Sequence, residues 1–390
     1  MKPFSVALLG FALLLAGCGG GSSSEPAAAS KVSASAALGD KIFHDASLSA
    51  SGNLACATCH DPARAHAGND NRAVPLGGAA LTQPGFRNAP SLRYLKQNPA
   101  FFFDAEDTPT GGFNRDGRAR SLAEQARRPF LAAHEMANAD AADVVNKLRA
   151  APYAEEFRSV FGADIFDNSD RAFESALAAI ATYEDEDPEF NPFTSKYDFF
   201  LNGQASLTEQ ELRGLVLYFA EGKGNCAACH PGSRNEDGSP PLFTDFTYDN
   251  LGVPRNNDIP ANNVSTHFDL GLCGPDRTDL SSRNDLCGAF KVPTLRNVGV
   301  TAPYFHNGKF ATLKEVVAFY VRRDTNPEEW YPASGLGIDK FNDLPAEFRA
   351  NVNRSEKPYD RSPGQAPALN TQEIDDLVAF LQTLTDGYQP

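Results

Sequence analysis

The sequence contains one pentapeptide twice, as Cys56-Ala57-Thr58-Cys59-His60 and as Cys226-Ala227-Ala228-Cys229-His230. The pattern Cys-x-x-Cys-His is typical of haem c attachment, in which both thiols bind the porphyrin covalently and the histidine coordinates its iron. A zinc site or a redox dithiol is the alternative, but neither needs a histidine after each second cysteine. The repeat therefore predicts two covalently bound haem c groups and a chain organised around them.

The composition indicates a folded, acidic protein. A chain of 390 residues has room for two or three domains, and 28 Phe residues with a hydrophobic fraction of 42% predict buried cores. The formal net charge of −15 at pH 7 argues against a nucleic acid partner, because nucleic acids select basic surfaces. An acidic surface instead favours a protein partner with a basic patch.

The N-terminus predicts export. Residues 1–17 have the pattern of a bacterial signal peptide, and their apolar run is too short to span a membrane comfortably. The stretch Leu15-Ala16-Gly17-Cys18 resembles a lipobox with Cys18 as the lipidated residue; ordinary secretory cleavage is the alternative. Residues 18–35, rich in Gly, Ser and Ala, predict a flexible tether. We expect a periplasmic protein that contacts the membrane only through a lipid at Cys18, in the outer membrane because Gly19 follows it.

Two cysteines remain outside the haem motifs and the export signal. Cys273 and Cys287 lie in a stretch rich in Gly, Asp, Ser and Pro. In an oxidising compartment we expect a disulfide between them, with two free thiols as the alternative. Closing a loop of about 15 residues would stabilise the fold by on the order of 3 kcal/mol in the chain-entropy model.

The hydrophobic periodicity predicts a mainly α fold: two cytochrome c-like haem domains with long irregular loops and no long strands. The acidic, Pro-containing stretch 185–192 is the expected boundary between an N-terminal haem domain, residues 36–185, and a C-terminal one, residues 186–390. A helix that begins after Ser121 is expected to break near Pro129. The other expected helices cover 36–43, 140–150, 152–161, 169–183, 208–219, 312–320 and 370–384.

The sequence resembles the bacterial dihaem cytochrome c peroxidase family, including its MauG-like branch, from about residue 36 to residue 384. The resemblance rests on both pentapeptides and on five further stretches: Arg87-Asn88-Ala89-Pro90-Ser91-Leu92, Asp116-Gly117-Arg118-Ala119, Glu135-Met136, Lys291-Val292-Pro293-Thr294-Leu295-Arg296-Asn297-Val298 and Thr301-Ala302-Pro303-Tyr304-Phe305-His306-Asn307-Gly308. It implies that hydrogen peroxide is cleaved at the N-terminal haem, held by His60. The C-terminal haem, held by His230, would supply the electrons.

The same resemblance implies the residues on the distal side of the N-terminal haem. Gln125, Pro129 and Glu135 match the family pattern in type and spacing. Heterolytic cleavage of peroxide needs a group that moves a proton between its oxygens, and Glu135 is the expected acid–base catalyst. Gln125 would position peroxide or water. The alternative for Glu135 is a solvated surface charge.

The C-terminal haem is expected to have a tyrosine as its sixth ligand. After export the chain retains one Met, Met136, which lies beside Glu135, so a His/Met haem is not expected at the second site. The resemblance places the ligand at Tyr320, as in the MauG-like branch. The alternative is that Tyr320 is a core aromatic residue, with His306 as the main rival ligand.

The resemblance also implies a calcium ion between the haems, bound by the Asn88 side chain, by the carbonyls of Thr301 and Pro303, and by waters. A turn residue is the alternative for Asn88. One departure is Arg115, because family members commonly have Trp at this position for electron hopping. The remaining histidines are expected to be surface or core groups, with His66 as a weak candidate distal ligand.

Three functions follow. The leading one is reduction of hydrogen peroxide to water with electrons from a small periplasmic cytochrome c or copper protein. The second is peroxide-dependent oxidation of a partner protein, as in the MauG-like members. The third is a non-enzymatic dihaem electron carrier, in which Glu135 and Gln125 would have no catalytic role.

Overall fold

The computed structural model describes residues 32–335 and 337–390, so the signal peptide and residues 18–31 of the expected tether lie outside the described residues. The fold is mainly α, as predicted. The described residues contain ten α-helices: α1 Ala34–His44, α2 Cys56–Cys59, α3 Leu122–Leu131, α4 Ala141–Ala150, α5 Ala154–Phe161, α6 Ser169–Glu186, α7 Lys196–Leu201, α8 Glu209–Phe219, α9 Leu313–Arg322 and α10 Thr371–Gln382.

Side-chain caps fix where several of these helices begin. The hydroxyls of Thr208 and Thr312 accept hydrogen bonds from the amides three residues later, and the glutamates there accept from the threonine amides. Ser33 caps α1, so this helix begins at Ala34 rather than at the expected residue 36. The caps are local in sequence, which is why most helix starts could be predicted.

The expected break near Pro129 is wrong, because α3 continues to Leu131. Proline lacks the N–H that would bond the carbonyl four residues earlier, that of Gln125. The helix tolerates this loss because it ends within the next turn and because Phe130 is buried in the core. One consequence is that Gln125 and Pro129, four residues apart, lie on the same side of α3.

Two close helix crossings organise the fold. A Cβ added to Gly39 of α1 would lie 2.0 Å from the carbonyl oxygen of Ala179 on α6. In the same way, a Cβ on Gly214 of α8 would lie 2.0 Å from the carbonyl oxygen of Asp376 on α10. Only glycine permits this backbone approach. The pairs α1/α6 and α8/α10 are therefore equivalent units within one chain, each beside one of the two pentapeptides.

The hydrophobic core has three clusters of buried side chains. One runs from Leu38 to Phe190 and is centred on α1 and α6, and one runs from Tyr197 to Leu384 and is centred on α8 and α10. A smaller cluster lies between Val253 and Val352. Residues 32–390 form one compact unit by their contacts, and the domain boundary at residues 185 and 186 stays a prediction.

Strands are short, as expected. The described residues contain four antiparallel pairs of two-residue strands: β1 Leu76–Gly77 with β2 Gln83–Pro84, β3 Phe102–Phe103 with β4 Pro109–Thr110, β5 Tyr248–Asp249 with β6 Phe290–Lys291, and β7 Ala333–Ser334 with β8 Gly337–Ile338. The predicted disulfide between Cys273 and Cys287 is confirmed, with their Cα atoms 5.0 Å apart. Among residues 32–335 and 337–390, no helix has the length and apolar character that crossing a bilayer requires.

Candidate active site

The first pentapeptide lines a cavity with an empty volume of about 1250 Å³. Apolar residues form much of its wall, including Phe43, Leu54, Leu76, Leu92 and Ile180. The structure brings all six N-terminal candidates to this one cavity, although they come from three separate stretches of chain: Cys56, Cys59, His60, Gln125, Pro129 and Glu135.

The hydrogen bonds of His60 suit an iron ligand. Its Nδ1 lies 3.0 Å from the carbonyl oxygen of His66 and 3.1 Å from that of Pro90. Both partners are acceptors, so Nδ1 carries the proton and Nε2 keeps a lone pair for a metal. Burial lowers the pKa of His60, which keeps the ring neutral. His66 supplies its carbonyl to the proximal histidine and packs on Phe190 at 4.3 Å, so it is not placed as a distal ligand.

The second pentapeptide lines a separate cavity with an empty volume of about 1610 Å³. His230 repeats the arrangement of His60, because its Nδ1 lies 2.8 Å from the carbonyl oxygen of Phe243. Tyr218 donates a hydrogen bond to the His230 carbonyl. Burial lowers the pKa of His230 as well. Each half of the chain thus presents two thiols and one neutral imidazole to an apolar cavity, a donor set that fits haem c.

The zinc and dithiol alternatives fit poorly. The two cysteine pairs line different cavities, so they cannot converge on one zinc ion. Burial raises the pKa of Cys56 to about 12 and that of Cys59 to about 11. It also raises the pKa of Cys226 and of Cys229 to about 12. Redox-active cysteines have lowered pKa values, so these thiols are not poised for dithiol chemistry.

Sequence reasoning missed His134, which it treated as a surface or core group. Its Nε2 lies 3.5 Å from Oε1 of Glu135, and both residues line the first cavity. The His134 ring packs edge-on against Phe86 at 4.8 Å. His134 directly precedes Glu135 in the sequence, and this adjacency could have identified it as a candidate. The wall of the first cavity therefore carries an imidazole and a carboxyl group side by side.

Tyr320 and its rival His306 both line the second cavity. Tyr320 stacks on Phe305 at 5.9 Å, and burial followed by the charge of Asp249 raises the pKa of its hydroxyl well above its usual value. His306 lies flat on Phe290 with ring centroids 3.8 Å apart. The choice of Tyr320 as the ligand stays a prediction.

Arg115 lies between the two cavities and lines both. Its Nε donates to the Asn88 carbonyl at 3.1 Å, and its Nη2 donates to Asn88 Oδ1 at 2.8 Å. A second guanidinium, that of Arg64, donates to the carbonyl of Ala302, between Thr301 and Pro303. Two cationic side chains thus bind the oxygens around the expected calcium site. In this arrangement the donors do not fit Ca²⁺, and an ion would need Arg115 to release Asn88.

Comparisons with known proteins agree with this geometry. Residues 33–206 match the family described as "Di-haem cytochrome c peroxidase". The chain therefore belongs to this family of enzymes, and the resemblance inferred from the motifs is confirmed. It is 36% identical to the methylamine utilization protein MauG of Paracoccus denitrificans (strain Pd 1222), over 91% of this chain and 89% of that protein.

Two further relatives place the chain among peroxidases. It is 31% identical to the cytochrome c551 peroxidase of Nitrosomonas europaea, over 91% of this chain and 80% of that protein. The crystal structure of the diheme peroxidase BthA from Burkholderia thailandensis E264 matches with a TM-score of 0.83 at 40% identity. That match covers 90% of this chain and 86% of the BthA chain.

Proposed function

We propose that the protein reduces hydrogen peroxide to water with electrons from a small periplasmic redox protein, a cytochrome c or a copper protein. One observation carries the proposal: two cavities share a haem c motif but differ in their other polar residues. The first cavity has Glu135, Gln125 and His134 among its polar residues, and the second has Tyr320 and His306 among a different set of polar and charged residues. This asymmetry favours one site for chemistry and one for electron supply.

The residues of the first cavity would act as follows. A haem bound there supplies the iron that accepts peroxide and electrons. The Glu135 carboxylate takes a proton from one peroxide oxygen and gives it to the other, the general acid–base step that peroxide cleavage needs. His134, 3.5 Å away, can exchange that proton with Glu135. The Gln125 amide orients peroxide or water, and Pro129 presents a ring with no N–H donor.

Hydrogen-bonded residues connect the two cavities and would provide a path for electrons. Asn88 lines the first cavity, and His306 lines the second. The backbone N–H of Asn88 donates to the backbone carbonyl of His306 at 2.7 Å. Arg115 lines both cavities and binds Asn88 twice. A guanidinium cannot itself be oxidised as an indole can. We therefore infer that the Arg115 guanidinium positions the groups between the haems and is not itself oxidised or reduced.

The alternative is peroxide-dependent oxidation of a partner protein, favoured by the similarity to MauG and by Tyr320 in the second cavity. Peroxide consumption with a reduced small cytochrome c as the donor separates the functions. Sustained turnover supports the peroxidase. One rapid equivalent without turnover supports oxidation of a protein, and no peroxide consumption supports a carrier. Periplasmic location, the lipid at Cys18 and the two haem domains stay predictions alongside this proposal.

We expect Tyr320→Phe to change the optical and EPR spectra of the C-terminal haem, because the substitution removes the oxygen proposed as its sixth ligand. The spectrum of the N-terminal haem should stay the same. Anaerobic titration of the purified holoprotein, followed in both spectra, measures this.

Tyr359→Phe is the matched control, since Tyr359 is also buried, lines the same cavity and lies 6.0 Å from the Tyr320 ring. Unchanged spectra in Tyr320→Phe, together with a change in His306→Gln, would assign the ligand to His306 instead.

We propose that oxygens of Asn88, Thr301 and Pro303 bind Ca²⁺ only when the Arg115 side chain has released Asn88. Arg115→Gln should then bind Ca²⁺ about tenfold more tightly than the wild type or better, because it removes a competing positive charge. Calorimetry on calcium-depleted protein measures both affinities. Arg171→Gln, an exposed charge change on α6, should match the wild type. Equal affinities in all three proteins, or no binding, would contradict this placement.

A further inference from the structure

Glu184 is a buried carboxyl group that the proposed reaction does not use. It lies on α6 near the C-terminal end, the residue is 4% exposed, and it lines the first cavity with Cys56 and Ile180. Within the described part of the chain, no hydrogen-bond donor reaches its Oε2. A buried polar atom without a partner costs stability, so its presence calls for an explanation.

The second half of the chain provides an internal comparison. Ala179 on α6 and Asp376 on α10 occupy equivalent positions, because the backbone carbonyl of each lies against the glycine of the helix that crosses it. These glycines are Gly39 of α1 and Gly214 of α8. Counting five residues onward from each reaches Glu184 and Leu381. Leu381 lines the second cavity, as Glu184 lines the first. The same helix position therefore faces both cavities, with an apolar side chain in one and an unpartnered carboxyl group in the other.

Packing alone does not account for this difference. The neighbouring positions, Ile180 on α6 and Leu377 on α10, are both apolar and both line their cavities. A leucine at position 184 would complete the wall without a desolvated carboxyl group, whose transfer from water is unfavourable unless it is hydrogen-bonded or neutral. Burial raises the pKa of Glu184 to about 8, so at neutral pH the group is largely a neutral acid.

Among the residues that the structure describes, no cationic side chain forms an ion pair with Glu184. The cysteines of α2, Cys56 and Cys59, become thioethers when haem is attached. Other charged or titratable residues line the same cavity: His60, His134, Glu135, Asp276, Arg87, Arg115, Arg118 and Arg128. Charged groups on α6 and on the neighbouring helices and turn have other partners, in these pairs: Asp40–His44, Lys41–Glu156, Lys96–Asp185, Arg127–Glu174, Arg128–Asp276 and Lys147–Asp143.

We propose that Glu184 releases a proton when the haem of the first cavity loses an electron and takes one up from solvent when that haem is reduced. The inference rests on the proposed placement of a haem at Cys56, Cys59 and His60. One electron and one proton leave together, so the charge inside the apolar cavity does not change. Reduction of peroxide to water consumes protons as well as electrons, so a proton released at this step has an acceptor.

The sign of the effect follows from electrostatics. A carboxylate beside the porphyrin stabilises the oxidised haem, whereas the neutral acid does not. The midpoint potential of the N-terminal haem should therefore fall as the pH rises through the range in which Glu184 titrates. The C-terminal haem, with Leu381 at the equivalent position, should not show this dependence.

Spectroelectrochemical titration of the holoprotein at a series of pH values tests the proposal without peroxide. Glu184→Gln should remove most of the pH dependence of the N-terminal potential and leave the C-terminal potential unchanged. Glu174→Gln, an exposed carboxyl on the same helix, should behave like the wild type. The proposal is overturned if Glu184→Gln keeps the wild-type dependence or shifts both haems alike.

Infrared difference spectra provide a second readout. The reduced-minus-oxidised spectrum of the wild type should contain a protonated carboxyl C=O band that is absent in Glu184→Gln; identical bands would overturn the proposal. If Glu184→Gln folds poorly, Glu184→Asp keeps a carboxyl group and should retain both the band and the pH dependence. Loss of peroxide turnover would not affect these measurements, whereas a missing N-terminal haem would remove the proposed site itself.

Discussion

Replacing Glu135 by Gln is expected to lower kcat for peroxide reduction by about 10²- to 10⁴-fold, the usual contribution of a positioned acid–base group. Glutamine keeps the size and polarity of the side chain but cannot accept the peroxide proton. Haem content and the affinity for the electron donor should stay the same, because Glu135 lines only the first cavity. Steady-state kinetics at saturating donor measure the effect.

The control for this substitution is Glu155→Gln. Glu155 lies on α5, and its side chain is 85% exposed. Glu155→Gln therefore removes the same charge as Glu135→Gln, but away from the proposed distal residues. Wild-type turnover in Glu135→Gln would remove Glu135 from catalysis and leave His134 as the acid–base group to test next. A loss of haem in this variant would instead indicate a structural role.

The second large effect is expected from the cysteine pairs. A Cys226→Ala/Cys229→Ala variant should carry one covalent haem instead of two and should lose sustained turnover with the donor. Its N-terminal site should still react once with peroxide, because Glu135, Gln125 and His60 are untouched. This division follows from the two separate cavities, each with its own thiols and imidazole. Mass spectrometry and rapid-mixing absorption spectroscopy measure haem content and the first reaction.

The mirror variant, Cys56→Ala/Cys59→Ala, is the matched comparison. It should also keep one haem but should not react with peroxide at all. The haem that remains is at the C-terminal site, where Tyr320 is proposed as the sixth ligand of the iron. Equal peroxide reactivity in the two variants would show that the sites are interchangeable and would contradict the proposed division of labour.

Local patterns in the sequence predicted local structure well. The threonine caps at Thr208 and Thr312 are satisfied within four residues, so their helices could be placed before any tertiary contact was known. The disulfide between Cys273 and Cys287 was predicted from the expected oxidising compartment. These two cysteines are the ones left after the haem motifs and the export signal are assigned. The break expected at Pro129 was wrong because the rule for proline describes the helix alone, whereas the burial of Phe130 holds the last turn in place.

Features that depend on distant contacts could not be predicted in the same way. Nothing near Gly39 in the sequence indicates that the carbonyl of Ala179 will approach it, so the helix crossings were missed. The bonds from Arg115 to Asn88 join residues 27 positions apart and change what the expected calcium site can hold. Both depend on packing between elements that periodicity does not position relative to one another.

Glu184 is an intermediate case. The apolar face of α6, which includes Phe173, Leu177 and Ile180, continues at the next helical step to position 184. The helix expected over 169–183 ended one residue before Glu184, so the burial of this carboxyl group was not predicted. The structure added the cavity beside it and the contrast with Leu381.

The proposed function requires two covalent haems in one chain, of which one has an open iron and the other does not. EPR spectroscopy of the oxidised wild-type protein, with haem content fixed by mass spectrometry, tests it most directly. We expect one high-spin and one low-spin ferric haem per chain. Fewer than two haems, or two low-spin haems under every condition of reduction, would contradict it.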